Sequence, residues 1–263
     1  MSAVADFETR RFQTAAAHYL RGRPPYPDQL IARVAQLIPL EGASRLLDLG
    51  CGPGQLALAF APRVGEVIAM DPEPIMLGMA REAATLQPNV RIVQGGSTDL
   101  GPELGRLDAA VIGRAFHWMD REQTLADLDA LIEPGGAVVL VGETYPELPE
   151  NARIRAFRTF MQDWSAGDES HVIRRGTPYT PHASVLLGSP FSRLERIEVI
   201  VRNPLSRELL VDRILSFSST SRARLGDRAD AMLAELQARM TDWEGSGPME
   251  EVLASEALIA WRP

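Results

Sequence analysis

Leu46-Leu47-Asp48-Leu49-Gly50-Cys51-Gly52-Pro53-Gly54-Gln55 runs from a leucine-rich segment straight into three glycines at alternate positions. A short apolar run ended by glycine reads as a buried strand, so SRLLDLG (44–50) is expected to be one. Working outward, DQLIARVAQLI (28–38) has apolar residues at helical spacing behind an aspartate placed to cap it. Beyond the glycines, QLALAFAPRV (55–64) reads as a helix, EVIAMD (66–71) as a strand, PIMLGMAREAATL (74–86) as a helix and VRIVQG (90–95) as a strand. LDAAVIGR (107–114), REQTLADLDALI (121–132) and, after a Pro-Gly-Gly turn, AVVLVGE (137–143) continue the alternation. Alternating strands and helices of this kind predict a doubly wound, mostly parallel α/β sheet covered on both faces.

Past residue 143 the pattern changes. Helical periodicity fills 150–164, 206–217 and 227–240, strand patterns remain only at 193–201 and 256–262, and the Pro- and Gly-rich 174–190 reads as a loop. The expected organisation is one domain over 1–263. It comprises an N-terminal helical lid (1–40), a ligand-binding core (41–143), a helical cap that adds one strand to the sheet (144–255) and an antiparallel last strand (256–263).

In an open sheet of this type, ligands bind at the carboxyl ends of strands where the winding reverses, which places the glycine turn at the ligand. Glycines let backbone approach it closely. Dinucleotide sites use G-x-G-x-x-G beneath a diphosphate, whereas the third glycine here arrives one residue early. Asp48 leads the turn, where it repels a diphosphate and holds an ammonium group, so the ligand is cationic at this point.

Composition narrows the classes further. The chain has 263 residues, a formal charge of -8, one cysteine and four histidines. Every one of its 27 basic residues is arginine, which excludes lysine Schiff-base chemistry and a P-loop lysine. The lone cysteine and scattered histidines point away from a metal site. The acidic balance points away from nucleic acid. No apolar run spans a bilayer and the N-terminus lacks a secretory pattern, so a cytoplasmic protein without membrane contact is expected. Oligomeric state is not readable.

At this point the sequence resembles the class I S-adenosylmethionine-dependent methyltransferases, whose D-x-G-x-G-x-G motif is matched by Asp48, Gly50, Gly52 and Gly54. The resemblance implies S-adenosylmethionine as cofactor, with Asp48 acting on its amino group directly or through water and the Gly50–Gly54 backbone, Cys51 included, beside its aminoacyl part. It implies that Asp71, ending the next strand, accepts the ribose hydroxyls, with Pro72 and Met76 beside the adenine. The third strand end, Gly96-Ser97-Thr98, then reads the adenine edge, with Gly96 standing where the family commonly has an acid. YLRGRPPYP (19–27) and GRAFHWMD (113–120) are similar to segments of the trans-aconitate-type small-molecule methyltransferases. From them Tyr19, Arg23 and Arg114 are expected at the cofactor and Tyr26 and Trp118 at the substrate, where Tyr145 is expected as well. His117 follows the fourth strand, where the reactive methyl should emerge, and is the candidate catalytic base if the acceptor must lose a proton; a packing corner formed with Trp118 is the other reading. Arg153, Arg155, Arg158, Arg174 and Arg175 are candidates to recognise an acidic acceptor. Two other readings stay open: a cofactor-binding module without turnover, and a nicotinamide-dependent oxidoreductase, which the glycine spacing opposes.

Overall fold

The computed structural model describes residues 12, 14–38, 40–165, 180–245, 247 and 249–263. Among them seven strands form one sheet: β1 (Arg45–Leu49), β2 (Glu66–Asp71), β3 (Val90–Gln94), β4 (Leu107–Gly113), β5 (Ile132–Thr144), β6 (Arg193–Pro204) and β7 (Glu250–Trp261). Their order is β3-β2-β1-β4-β5-β7-β6. The first five pair in parallel, and β7 lies antiparallel between β5 and β6. This is the expected doubly wound sheet with an antiparallel last strand. Winding reverses between β1 and β4, so their carboxyl ends open the crevice that such folds use for ligands.

The helices are α1 (Ala16–Gly22), α2 (Asp28–Leu37), α3 (Gln55–Phe60), α4 (Pro74–Ala83), α5 (Arg121–Leu131), α6 (Ala152–Trp164), α7 (His182–Leu187), α8 (Arg207–Leu215), α9 (Arg222–Leu225) and α10 (Arg228–Glu244). One face of the sheet buries Leu46, Val67, Val111, Val139 and Ile259 against Leu30, Ile31 and Val34 of α2 and against Leu56 and Phe60 of α3. The other buries Leu47, Ile68, Ile112 and Leu140 against Leu125 and Leu128 of α5 and Leu186 of α7. A third cluster joins α6, α8 and α10 through Phe157, Ile214 and Leu236. That cluster is the cap.

Several boundaries differ from the sequence reading. Asp28 is the first residue of α2, not its cap; Pro27 holds the cap position with φ -62°, which presets helical entry without a side-chain bond. α2 is buried against the sheet, so of these two helices α1 is the one that lies apart from the core layers. The last strand begins at Glu250, six residues earlier than expected, because EEVLAS also buries all but its first residue. β5 takes in the Pro-Gly-Gly turn, with Ile132 pairing to Leu107 before the ladder resumes at Ala137 opposite Ala109. The expected loop at 174–190 contains α7, whose Leu186 is fully buried; its first part, with Arg174 and Arg175, lies outside the described residues.

α1 is tied to the cap and not to the sheet. Its Gly22 crosses α8 so closely that a Cβ would fall 2.5 Å from the Asp212 carbonyl. Asp212 accepts from Arg21 Nε at 2.7 Å and lies 2.6 Å from His18 Nδ1, while Arg213 Nε donates to the Gly22 carbonyl at 3.0 Å. The N-terminal segment is therefore latched to the helical half.

Candidate active site

Gly50, Gly52 and Gly54 all adopt positive φ, at 73°, 54° and 85°, but their missing side chains serve two purposes. A Cβ on Gly50 would fall 2.5 Å from the Ala115 Cβ, and one on Gly54 would touch Ala80 of α4 at 3.4 Å. Those two glycines permit close packing. A Cβ on Gly52 meets nothing within 4 Å, so Gly52 alone opens onto free space.

The turn is held by two carboxylates. Asp48 is 1% exposed and accepts the Ala57 N–H at 2.8 Å, the third amide of α3. Gly54, at the cap of α3, has no side chain to do this, and the strand carboxylate does it instead. Asp71 accepts from Gly52 N–H and Glu73 N–H, both at 2.8 Å. Burial pushes the Asp48 carboxyl up to about 7 and Asp71 up to about 6. Two such groups beside each other favour a cationic neighbour.

A cavity of about 420 Å³ opens at these strand ends. Its wall includes Gly50 and Gly52 after β1, Asp71, Pro72 and Met76 after β2, Gly96, Ser97 and Thr98 after β3, and Arg114 and Trp118 after β4, with Tyr19 from α1. All of these were expected at a ligand. Sequence reading missed Phe12, Asp99, Ala115, Met119 and Asp120 on the same wall. Asp99 is informative, because its Oδ2 accepts the Gly96 N–H at 2.8 Å. It brings an acid to the strand end where Gly96 has none, and its place three residues on was the available signal. Asp48, Cys51 and Gly54 lie behind the turn and do not reach the wall; Cys51 packs in the core, where burial raises its thiol.

A second cavity, of about 460 Å³, adjoins the first, and Phe12, Tyr19, Arg114, Ala115 and Trp118 border both. Ile112, Leu140, Gly142, Glu256 and Leu258 form its sheet side; Ile154, Phe157, Arg158 and Met161 of α6 form its cap side. His117 and Tyr145 line it, as does Arg23, which was expected at the cofactor. Arg23 lies over the Phe217 ring at 3.5 Å and beside Tyr19 at 5.3 Å, and burial lowers its pKa. Its Nε is buried without a partner. Tyr26 reaches neither cavity: its phenol oxygen packs against Gly113, where a Cβ would come within 2.5 Å, and Arg114 covers its ring at 4.4 Å. Of the candidate cap arginines among the described residues, only Arg158 reaches the cavity; Arg155 donates outside it to the Leu148 carbonyl at 2.8 Å.

Arg114 joins the two spaces. It is the non-glycine residue with positive φ among the described residues, at 56°, a conformation that persists only where its surroundings enforce it. Nε donates to Glu143 at 2.6 Å and Nη2 to the Pro24 carbonyl at 2.7 Å, while Nη1 is buried without a partner.

Residues 46–136 match the family model described as a methyltransferase domain. An uncharacterized methyltransferase of Mycobacterium tuberculosis (strain ATCC 25618 / H37Rv) is 30% identical over 207 residues, which cover 79% of this chain and 76% of that one. The chain belongs to the class I S-adenosylmethionine-dependent methyltransferases. The trans-aconitate 2-methyltransferase of Variovorax paradoxus (strain S110) is 32% identical over 139 residues, 52% of this methyltransferase and 50% of that protein. A putative type II methyltransferase from Anaeromyxobacter dehalogenans shares the fold with a TM-score of 0.64 at 22% identity, covering 91% of this chain and 97% of that one.

The residues of the methyltransferase's first cavity fit its cofactor. Gly52 leaves space where backbone must approach, the acids of the turn suit an ammonium and a sulfonium, and the unpartnered Arg114 Nη1 is a donor available to a carboxylate. No helix among the described residues is long and apolar enough to cross a membrane. No described cluster of His, Cys, Asp and Glu has metal-site geometry.

Proposed function

We propose that the first cavity holds S-adenosylmethionine, that the second holds a small-molecule acceptor bearing an acid group, and that methyl transfer takes place across their shared border. The single observation carrying this reading is the pair of adjoining cavities that share Tyr19, Arg114 and Trp118. When bound, S-adenosylmethionine supplies a methyl group already activated by its sulfonium, so the chain's main task is alignment, which supplies roughly 7–11 kcal/mol in well-oriented reactions.

In this assignment Asp71 and the 96–98 turn hold the nucleoside, and Gly50 and Gly52 let backbone meet the aminoacyl part. Arg114 takes the carboxylate of that part, while Asp48 keeps the turn in place from behind and adds its charge toward the ammonium only when it ionises, above about pH 7 in the free protein. Tyr19 and Trp118 close the border and exclude water. His117 receives a proton when the acceptor atom is a hydroxyl or an ammonium; a carboxylate acceptor requires none. The acid group is supported by Arg158 and by the unpartnered Nε of Arg23, two cations on the second wall without an ion pair among the described residues. The aromatic side chains around them suit a partly apolar body.

The test is release of S-adenosylhomocysteine from the protein supplied with S-adenosylmethionine and a panel of small acids, amines and phenols, trans-aconitate included because of the Variovorax relative. Turnover with acids is expected, together with a raised KM for them in Arg158→Gln. Turnover confined to neutral acceptors overturns the acid assignment, and tight cofactor binding without product across the panel overturns the acceptor assignment of the second cavity.

A further inference from the structure

We infer that Glu256 reads a cationic amine on the acceptor, which makes the acceptor an amphoteric molecule with an acid and an amine on one compact, partly apolar frame. This rests on the second cavity being the acceptor site.

Glu256 lies on β7 directly opposite Gly142 of β5 on one side and Glu198 of β6 on the other. Directly paired residues in an antiparallel ladder project from the same face, so Glu198 and Glu256 set two like charges side by side. Among the described residues the counter-charge of Glu256 is Arg196, whose Nε stands 3.8 Å from Glu256 Oε2 and whose side chain is 55% exposed. That separation is beyond hydrogen-bond reach. The Glu256 carboxylate, 20% exposed in the cavity wall, accepts no hydrogen bond among the described residues. Across the ladder Gly142 has no side chain, and a Cβ there would meet nothing within 4 Å, so the floor is open beside the carboxylate.

The other acid on this wall is already engaged. Glu143 binds Arg114, and Arg213 is bound through Nη2 to Glu251 at 3.0 Å. What remains without a hydrogen-bonded ion pair is one anion on the sheet side, Glu256, which faces only the longer 3.8 Å contact to the exposed Arg196 among the described residues, and two cations on other walls, Arg23 and Arg158. A ligand complementary to that set carries a positive donor and a negative acceptor. Glu198 beside Glu256 selects an ammonium over a hydroxyl, because the paired negative charge attracts a full positive charge more strongly than a dipole. Phe116, Trp118 and Phe157 supply the apolar walls and π-faces for a cation.

The experiment is calorimetry on the full chain saturated with S-adenosylhomocysteine, using 4-(aminomethyl)benzoate and its near-isostere 4-ethylbenzoate. The native protein is expected to bind the aminomethyl compound at least about tenfold more tightly, the value of one charge-assisted hydrogen bond. Glu256→Gln should erase that preference while leaving 4-ethylbenzoate affinity unchanged, and Glu256→Asp should retain part of it. Equal affinities in the native protein, or a preference that survives Glu256→Gln, overturns the inference. Binding of 4-ethylbenzoate that is weakened by Arg158→Gln tests the acceptor site separately. If that holds and the amine adds nothing, the Glu256 inference alone fails; if neither probe binds, the underlying site assignment fails with it.

Discussion

The two cavities that meet at Tyr19 are made of different material. The first is built largely from backbone, glycine and short side chains at the ends of four neighbouring strands, within residues 49–120 apart from Phe12 and Tyr19. The second is built from long side chains arriving from α1, the loop after β4, β5, α6, α8 and β7, between residues 12 and 258. A site made of turns is set by local chain geometry and keeps its shape when distant side chains change. A site made of converging side chains is set by packing, so changes in the cap retune it without disturbing the first.

The sharpest way to break that separation is through the latch. Arg213 is 4% exposed and paired with a fully buried Glu251, and removing one partner of such a pair typically costs about 3–5 kcal/mol. Arg213→Ala is therefore expected to lower stability by that order in chemical denaturation. At a temperature where the variant is folded, its S-adenosylmethionine affinity should stay native, because Arg213 borders only the second cavity. Loss of cofactor affinity in the folded variant would show that the two regions are one unit.

Asp71→Ala strikes the first region in turn. It removes the acceptor of the Gly52 and Glu73 amides as well as the proposed ribose contact, and calorimetry should record a loss of roughly 2–4 kcal/mol in S-adenosylmethionine binding. An unaltered affinity would take Asp71 out of the binding set.

A smaller effect comes through pH. Burial holds the Asp48 carboxyl protonated up to about 7 in the folded chain, whereas an unfolded aspartate loses its proton near ~3.9. Between those values the folded state binds the extra proton, so this group makes stability fall as pH rises, by about 1.4 kcal/mol per unit. Asp48→Asn should remove that part of the slope, leaving the similar contribution of Asp71, and should be more stable than the native protein above about pH 7. Denaturation midpoints that keep the native slope would refute the buried-acid account. Least in size, Arg158→Gln is expected to raise the KM of an acidic acceptor about tenfold with kcat little changed, the signature of lost uniform binding, and to leave cofactor affinity untouched.

Much of the first region was legible because its information is contiguous. Strand, glycine turn and helix follow each other between residues 45 and 60, and the spacing from Gly50 to Asp71 is one crossover. What spacing did not convey was the division of labour: Asp48 anchors Ala57 N–H, Gly50 and Gly54 permit packing, and Gly52 alone faces space. Tyr26 stood in the same motif as Tyr19 and Arg23, yet α2 begins two residues later and carries it into the core. The last strand extends back from 256 to Glu250, and its Glu251 is buried there because α8 brings Arg213 to it, a pairing that no local spacing contains.

Residue order alone was sufficient for the doubly wound sheet and for an acid leading a glycine turn at a strand end, since each depends on periodicity or on groups a few residues apart; the class of methyl donor followed from the resemblance of that turn to a known family. The second cavity, the latch that joins α1 to α8, the retreat of Tyr26 and the placing of Glu256 on the second wall came from long-range packing. They require side chains separated by tens to hundreds of positions to share one space, and the fold, not the local spacing, sets which of them meet.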